Sequence, residues 1–242
     1  MSVTSRYRNA WESFWREAPD GTGAVLWDAE PSLTAGLHLG IFEPRLAEPG
    51  LPMVDLGCGN GTQTRFLAER FPRVVGVDLA PAAIERARRA LPGDGGRLFR
   101  ELDAVDPAAV SRLHGELGDS NVYMRGVLHQ CEPQDRQALA DSVALLLGEH
   151  GRAFVVELGE AAGQLLRGLA QSPDGPPPKL RPVLRHGIAP GAVDDSAVPG
   201  LFAAAGLDVL ASGDLPLMTT EHTGAGDRLE LPSKWLVVGR NG

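Results

Sequence analysis

The chain has 242 residues, of which 43% are hydrophobic and 22% charged, and this composition suits one globular domain. Its net charge of -8 argues against nucleic-acid binding, which needs a basic stripe. The two cysteines, Cys58 and Cys131, have no paired spacing, so we expect no disulfide framework and no metal.

The beginning of the chain, MSVTSRYRNAWESFW, lacks the apolar core of a signal peptide. No stretch approaches the ~20 apolar residues that a membrane helix needs. We therefore expect a cytoplasmic protein without a membrane partner, acting as a monomer or homodimer. The basic run ERARRAL has helical spacing in an acidic chain and predicts a solvated helix face.

Aromatic residues are concentrated in the first part of the chain, residues 1–50, which we interpret as a helical cap. Tyr7, Trp11 and Trp15 are spaced as i, i+4, i+8 and form one helical stripe. Trp27 follows in a strand-like segment, AVLWD. The stripe either packs the helix on the domain or covers a cofactor and a flat or apolar substrate, and the two interpretations are compatible.

Strands and helices alternate after Gly50. The predicted strands are continuous apolar runs, which are typical of parallel strands buried on both faces. Such alternation predicts an α/β protein with a doubly wound, mostly parallel sheet. The strands are LPMVDLG, RVVGVDL, RLFRELDA, SNVYMRGVLH and RAFVVELG; the helices are TQTRFLAERF, PAAIERARRAL, PAAVSRLHGEL and QDRQALADSVALLLGEH, the last closed by Gly151.

The last quarter of the chain has a different pattern. After a helix, LDVLASGDL and SKWLVVGR read as strands with no helix between them, which predicts an antiparallel C-terminal hairpin on the sheet. Residues 163–195 form a proline-rich insert, either a lid or a disordered excursion. Residues 218–232 are a second candidate pocket wall. The main domain is predicted to span residues 51–242.

A glycine-rich turn follows the first predicted strand, where parallel sheets bind ligands. Gly57, Gly59 and Gly61 stand at alternate positions, and the helix that begins near Thr62 points its free N–H groups to the same place. A dinucleotide site needs a third glycine at that threonine position. Asp55 can accept a hydrogen bond from an ammonium group or brace the loop, so a cofactor with an amino-acid head fits better than NAD.

VDLGCGNG followed by VVGVDLAP resembles the first two motifs of class I S-adenosylmethionine-dependent methyltransferases, and the resemblance extends over about residues 50 to 160. It implies S-adenosylmethionine as cofactor and a seven-stranded sheet. It also implies that Cys58 and Leu79 border the cofactor and that Asp78 binds both ribose hydroxyls, although a helix N-cap role for Asp78 stays open.

The same resemblance assigns the adenine contact to Asp103 with the backbone of Ala104. Asp106, which precedes a proline, is interpreted as the N-cap of the next helix. The reverse assignment of the two acids, with Asp106 at the adenine, stays open.

The segment after the fourth strand faces the sulfonium and the substrate in this family. Arg125 is expected to bind an acidic substrate or the cofactor carboxylate, or to form a salt bridge with Glu157 or Glu132. His129 is a candidate general base for a phenol or an amine, or a structural histidine. A thiolate or carboxylate acceptor needs no base.

The aromatic spacing W-x-x-x-W, Trp27 and the segment VYMRG…DR are similar to thiopurine S-methyltransferases. On that resemblance Trp11, Trp15 and Trp27 border the cofactor and Arg125 faces the reaction centre. The chain departs from that family in its DLGCGNG turn, so a preference for sulfur is not carried over.

The sequence therefore predicts methyl transfer to an oxygen, nitrogen or sulfur atom of a small-molecule acceptor, and a peptide acceptor stays open. The alternatives are a protein that binds S-adenosylmethionine without methyl transfer, as a cyclase or regulator, and, less favoured, an NAD-dependent oxidoreductase.

Overall fold

The computed structural model describes residues 3–91, 93–173, 175–188, 191, 193–224 and 226–241. Its centre is a seven-stranded sheet in the order β3-β2-β1-β4-β5-β9-β6. Neighbours among β1–β5 pair in parallel, whereas β9 is antiparallel to both β5 and β6. The predicted fold class is confirmed. The sheet strands are β1 Met53–Leu56, β2 Val74–Asp78, β3 Phe99–Glu101, β4 Asn121–Arg125, β5 Arg152–Leu158, β6 Asp208–Asp214 and β9 Ser233–Gly239.

Helices cover both faces of the sheet, which explains why its central strands are buried on both sides. One buried cluster joins β1, β2, β4 and β5 to α5, α6 and α9. A second cluster joins the opposite face to α2 and α3. The helices are α1 Val3–Glu17, α2 Ala35–Phe42, α3 Thr62–Ala68, α4 Pro81–Ala90, α5 Pro107–Leu117, α6 Arg136–Leu147, α7 Glu160–Ala170, α8 Leu180–Arg185 and α9 Ala197–Ala204.

Local chemistry sets several helix ends. Pro81 and Pro107 occupy first-turn positions of α4 and α5, where a missing N–H is harmless. Asp106 caps α5 by accepting a hydrogen bond from the amide of Ala108 at 2.9 Å, which confirms the N-cap prediction. The expected end of α6 at Gly151 is wrong, because the helix already stops at Gly148 with φ 56°.

A second, two-stranded sheet lies between β6 and β9 in sequence. It is an antiparallel hairpin of β7, Leu217–His222, and β8, Arg228–Leu231. The segment AVLWD is not a strand but a turn, and the prediction there is wrong. Its link to the hairpin is made by Leu26, whose carbonyl accepts a hydrogen bond from the amide of Thr220 at 2.8 Å.

The basic run on α4 is only in part a solvated face, because Arg86 and Arg88 are bound. The Arg86 side chain is 12% exposed and donates to the carbonyls of Trp15, Ala18 and Pro19. Arg88 donates to the carbonyl of Phe99 at 2.8 Å. Cations at a helix C-terminus satisfy its free carbonyls, so α4 anchors the end of α1.

The described parts of the chain contain no helix long and apolar enough to cross a membrane. Within the same residues, no group of three or more His, Cys, Asp or Glu is arranged to hold a metal ion. Cys58 and Cys131 are free thiols.

Candidate functional site

A cavity of about 220 Å³ opens at the carboxyl ends of β1, β2 and β4, the position at which parallel sheets bind ligands. It brings together nearly every residue that the sequence nominated. Gly61 is the exception, because it does not line the cavity. The nominated residues that do are Trp15, Trp27, Asp55, Gly57, Cys58, Gly59, Asp78, Leu79, Asp103, Ala104, Arg125 and His129.

The glycines of the turn have different roles. Gly59 has φ 55°, and a Cβ there would lie 2.9 Å from the Trp15 ring. Gly61 has φ 76°, and its Cβ would lie 2.5 Å from the Phe99 ring. Glycine tolerates both the left-handed backbone and the close approach. Gly59 therefore lets the cap pack onto the loop, whereas Gly61 lets α3 pack on the sheet.

Asp55 is a buried acid at the cavity floor, with 3% of its surface exposed. It accepts a hydrogen bond from the hydroxyl of Thr64 at 2.5 Å, which braces α3 against β1. Burial raises the pKa of Asp55 to about 6, against the opposing effects of the Thr64 bond and the Arg125 charge. A cationic ligand near this carboxyl would favour its ionised form.

Asp78 ends β2 and holds two neighbouring loops together. Its two oxygens accept hydrogen bonds from the amides of Gly59 and Ala80, both at 2.9 Å. The N-cap of α4 is Ala80, so the N-cap alternative for Asp78 does not hold. Burial raises the pKa of Asp78, while these backbone bonds lower it. Because each carboxylate oxygen has two lone pairs, the side chain can still accept from a diol.

Asp103 is held from two sides. One oxygen accepts a hydrogen bond from the amide of Val105 at 3.1 Å. The other accepts from Arg8 of α1 at 3.2 Å, and the same guanidinium contacts Glu101 at 3.0 Å. Sequence reasoning missed Arg8. The available signal was its place beside the aromatic stripe, but its partners lie more than 90 residues away in the chain.

Arg125 ends β4 with one side-chain nitrogen bound and one free. Nη2 donates to the carbonyl of Trp27 at 3.0 Å. Nη1 is buried and has no hydrogen-bond partner. Leaving such a donor unpaired costs about 1–3 kcal/mol, so this nitrogen favours an anionic ligand. The carboxylate of Glu157, one expected partner, is bound to other groups.

Those groups are His129 and the backbone beside it. Glu157 is 2% and His129 6% exposed, and His129 Nδ1 lies 2.8 Å from Glu157 Oε2. Glu157 Oε1 accepts from the amides of Val127 and Leu128, both at 2.8 Å. A carboxylate only accepts, so in the neutral ring Nδ1 carries the proton and Nε2 keeps the lone pair.

The sequence predicted Glu157 only as a salt-bridge partner of Arg125. The signal for a special role was a single acid within the apolar strand RAFVVEL. A buried carboxylate is expensive unless it is hydrogen-bonded. Its pairing with His129 creates the arrangement of a general base and its orienting group.

Aromatic residues of the cap close one side of the cavity. Trp11 and Trp27 meet edge to face with centroids 5.2 Å apart, and Trp11 stacks on Trp15 at 6.5 Å. Residues 130–139 contribute to another wall, and further walls come from β5, α7, α8 and the β7–β8 hairpin, together with their loops. Their lining residues are mainly apolar: Leu158, Leu166, Leu180, Val183, Ile188, Leu217 and Leu231.

Comparison with known proteins agrees with this geometry. The family profile described as "Methyltransferase domain" matches residues 54–153. A solved S-adenosylmethionine-dependent methyltransferase from Anabaena variabilis superposes with a TM-score of 0.87 at 29% identity, covering 100% of this chain and 96% of that one. Residues 54–153 thus match the methyltransferase-domain family, and the fold is that of class I S-adenosylmethionine-dependent methyltransferases.

Two further comparisons concern the fold and part of the sequence. Magnesium protoporphyrin IX methyltransferase from Synechocystis, solved with bound S-adenosylmethionine, has a TM-score of 0.60 at 14% identity, over 100% of this chain and 98% of that one. This likeness shows the fold. The carboxy-S-adenosyl-L-methionine synthase of Salmonella paratyphi B is 31% identical over 130 residues, 49% of this chain and 48% of that protein. The chain thus spans about half the length of the curated relatives it matches.

The thiopurine resemblance stays a prediction.

Proposed function

We propose that this protein transfers the methyl group of S-adenosylmethionine to a small-molecule acceptor. The carrying observation is the charge pattern around the glycine turn. Three acids, Asp55, Asp78 and Asp103, line the cavity together with a guanidinium that has an unpaired buried nitrogen, on Arg125. A cationic sulfonium with an ammonium, a carboxylate and a ribose complements that pattern, whereas NAD has neither the sulfonium nor the amino-acid head.

The cofactor would be held along the strand ends in sheet order. Asp78 would accept from the ribose hydroxyls, and Asp103 with the backbone of Ala104 would meet the adenine. Asp55 and Arg125 would bind the ammonium and carboxylate of the head group. Each charge-assisted hydrogen bond contributes about 1.5–3 kcal/mol. Cys58 and Leu79 would border the nucleoside, and Trp15 and Trp27 would cover it.

Methyl transfer requires alignment of the reactants and exclusion of water more than it requires reactive side chains. The acceptor atom, the methyl carbon and the sulfur must lie in line, with water kept out. The aromatic cap and the α7–α8 insert, within residues 163–195, would exclude water. His129 would remove a proton where the acceptor carries one, with Glu157 holding its ring.

The wider setting is proposed on the same basis. Residues 1–50 would act as the cap and residues 51–242 as the cofactor-binding domain. We place the protein in the cytoplasm as a monomer or homodimer, without nucleic acid or membrane as a partner.

Calorimetry tests cofactor binding. Heat should appear with S-adenosylmethionine and not with NAD, and Asp78→Ala should weaken the affinity at least tenfold because it removes the ribose acceptor. Asp141→Asn, an exposed acid on α6, is the matched control and should bind like the parent. Release of S-adenosylhomocysteine with an acceptor panel then tests transfer. Unchanged affinity in Asp78→Ala would refute the assignment of the site.

One alternative has an observation behind it. The Salmonella relative is named as a synthase of a carboxylated form of the cofactor, and Arg125 Nη1 could pair with an added carboxylate. On this alternative the cofactor would be modified and would lose no methyl group. Mass spectrometry of the cofactor after turnover separates the two, because methyl transfer leaves S-adenosylhomocysteine and carboxylation leaves a heavier sulfonium.

A further inference from the structure

We infer that the acceptor is a mainly apolar molecule that presents a neutral hydroxyl group to His129. This inference rests on the proposed function and narrows its acceptor class. Two independent features carry it, namely the unequal lining of the two halves of the cavity and the geometry of the His129–Glu157 pair.

The sheet order divides the cavity. β2 and β3 lie on one side of β1, and β4 and β5 lie on the other. Asp78 and Asp103, the acids that suit a nucleoside, follow β2 and β3. The nucleoside therefore occupies that half, and the space beside β4 and β5 is left for the acceptor. His129 follows β4 and lines the cavity, which places it beside this second half.

The apolar walls of the cavity come from four elements outside the seven-stranded sheet, and we place them against this second half. Leu166 of α7, Leu180 and Val183 of α8, Leu217 of β7 and Leu231 of β8 all line the cavity. They are 2–8% exposed.

Among the described residues of these four elements, Thr219 is the polar side chain that lines the cavity. Its hydroxyl already donates to the carbonyl of Leu229 at 2.6 Å. A polar acceptor body would thus lose hydration against these walls without gaining partners from them, which costs binding energy. An apolar body matches these walls.

The base selects the reacting group. Glu157 fixes the proton of His129 on Nδ1 and leaves Nε2 as an acceptor. A thiolate or carboxylate needs no such base, and an ammonium would bring a charge into apolar walls. A hydroxyl enters uncharged and must lose its proton to react well, which is the task this pair can perform.

The hydroxyl proton passes to His129 Nε2 while an oxygen lone pair forms a bond to the methyl carbon. The carbon–sulfur bond breaks, and its electron pair stays on sulfur. The products are a methyl ether, a neutral thioether and a protonated imidazole, which returns its proton to solvent.

A matched set of naphthalenes tests both parts. 2-Naphthol, 2-naphthylamine, 2-naphthalenethiol and 2-naphthoate share one apolar body and differ in the accepting group. We expect 2-naphthol to quench the tryptophan fluorescence of the cofactor-loaded protein and to take up label from methyl-labelled S-adenosylmethionine faster than the other three. Binding by none of the four would overturn the apolar body, and labelling of the thiol, amine or acid in preference to the naphthol, or binding without labelling, would overturn the hydroxyl.

Variants separate this inference from the proposed function. Val183→Thr keeps the side-chain shape but adds a hydroxyl to the wall, so KM for 2-naphthol should rise about tenfold while cofactor affinity stays the same. Val209→Thr on β6, where the side chain is 39% exposed, should change neither. His129→Gln should lower kcat about 10²–10⁴-fold with little change in KM. Equal KM in both valine variants, or an unchanged kcat in His129→Gln, would contradict the inference. The absence of binding heat when S-adenosylmethionine is titrated into the parent protein would instead refute the proposed function.

Discussion

At the scale of single residues, the burial of Asp55 makes the folding stability of the chain depend on pH. Its carboxyl is buried, and burial raises its pKa to about 6 from 3.8. The folded chain therefore takes up a proton more readily than the unfolded chain between these two values. Folding stability must fall as the pH rises through this window, because the ionised form is penalised only in the folded state.

Asp55→Asn should relieve this penalty. We expect the ligand-free variant to be more stable than the parent at pH 7, by up to about 3 kcal/mol, and the difference to shrink toward pH 4, where the parent carboxyl is protonated. Asparagine can still accept the Thr64 hydrogen bond. Urea unfolding at several pH values measures the effect, with Asp141→Asn as control. A difference that stays constant with pH would contradict this explanation.

The same substitution should damage binding. An ammonium beside Asp55 favours the ionised carboxylate, so S-adenosylmethionine should bind more tightly to the parent at pH 7 than at pH 5. In Asp55→Asn this gain should be smaller, and the affinity at pH 7 should be lower. Calorimetry at the two pH values checks it; an equal gain in both proteins would show that Asp55 does not meet the cofactor head.

Glu157 determines which ring nitrogen of His129 carries the proton, because a carboxylate can only accept hydrogen bonds. In Glu157→Gln the amide oxygen can still accept from the amides of Val127 and Leu128, which turns the NH₂ group toward His129 Nδ1. That nitrogen must then accept, and the ring proton moves to Nε2, where the base is needed. We expect kcat to fall about 10²–10⁴-fold and cofactor affinity to stay near the parent value.

The comparison with His129→Gln makes this test specific. If Glu157 acts through the imidazole, the double variant should be no slower than His129→Gln alone, since interacting residues are not additive. Additive losses would mean that Glu157 acts only on the backbone of the loop. Far-ultraviolet circular dichroism of all three variants controls for folding.

At the scale of elements, α1 is held to the domain by contacts at both of its ends. Arg8 reaches Glu101 and Asp103 near its beginning, and Arg86 binds the carbonyls at its end. Glu12 accepts from the amide of Ala82 at 2.8 Å, so each of the two helices caps an end of the other. The helix that closes the cavity is therefore positioned by polar contacts at both ends as well as by its buried aromatic face.

Arg86→Met should loosen α1 without disturbing the sheet. Methionine keeps the apolar stem of the side chain and loses its donors, so the last turn of α1, with Trp15, should fray. We expect S-adenosylmethionine to dissociate about tenfold faster, since each lost bond of this kind is worth about 1 kcal/mol. Arg89→Met, an exposed neighbour on α4 whose side chain is 61% exposed, is the matched control. Equal dissociation rates in stopped-flow fluorescence would show that α1 does not retain the cofactor.

Elements with strong local signals were predictable from the sequence. Four of the five parallel strands are mainly apolar runs, with β3 (FRE) as the exception, and the prolines and Asp106 set helix starts by chemistry within a few residues. The turn at AVLWD was missed because its apolar run resembles a strand, whereas the Asp28 carboxylate accepts a hydrogen bond from the amide of Gly23 and the segment packs on the hairpin. Both glycines near the end of α6 can terminate a helix, so the sequence did not distinguish Gly148 from Gly151.

At the scale of the whole molecule, the site was predictable where it follows a motif and unpredictable where it depends on distant contacts. The cavity gathers Asp55, Asp78 and Asp103 because the ends of parallel strands meet at one edge. The hydrogen bond of Arg8 to Asp103 and that of His129 to Glu157 join segments with no shared local pattern. Such contacts become visible only once the fold has brought the segments together.

The cavity lies between the sheet, the cap and the hairpin, so a ligand there should stabilise the entire chain. S-adenosylmethionine at one hundred times its dissociation constant adds about 2.7 kcal/mol to the free energy of unfolding. For a chain of this size that corresponds to a rise in Tm of roughly 5–10 °C.

Because α1 and the hairpin β7–β8 both line the cavity, hydrogen exchange should slow in both elements on binding. Arg86→Met should lose much of the protection in α1 and keep that in the hairpin. A Tm that does not depend on cofactor concentration, or protection confined to the glycine turn, would mean that the cap and hairpin take no part in holding the ligand.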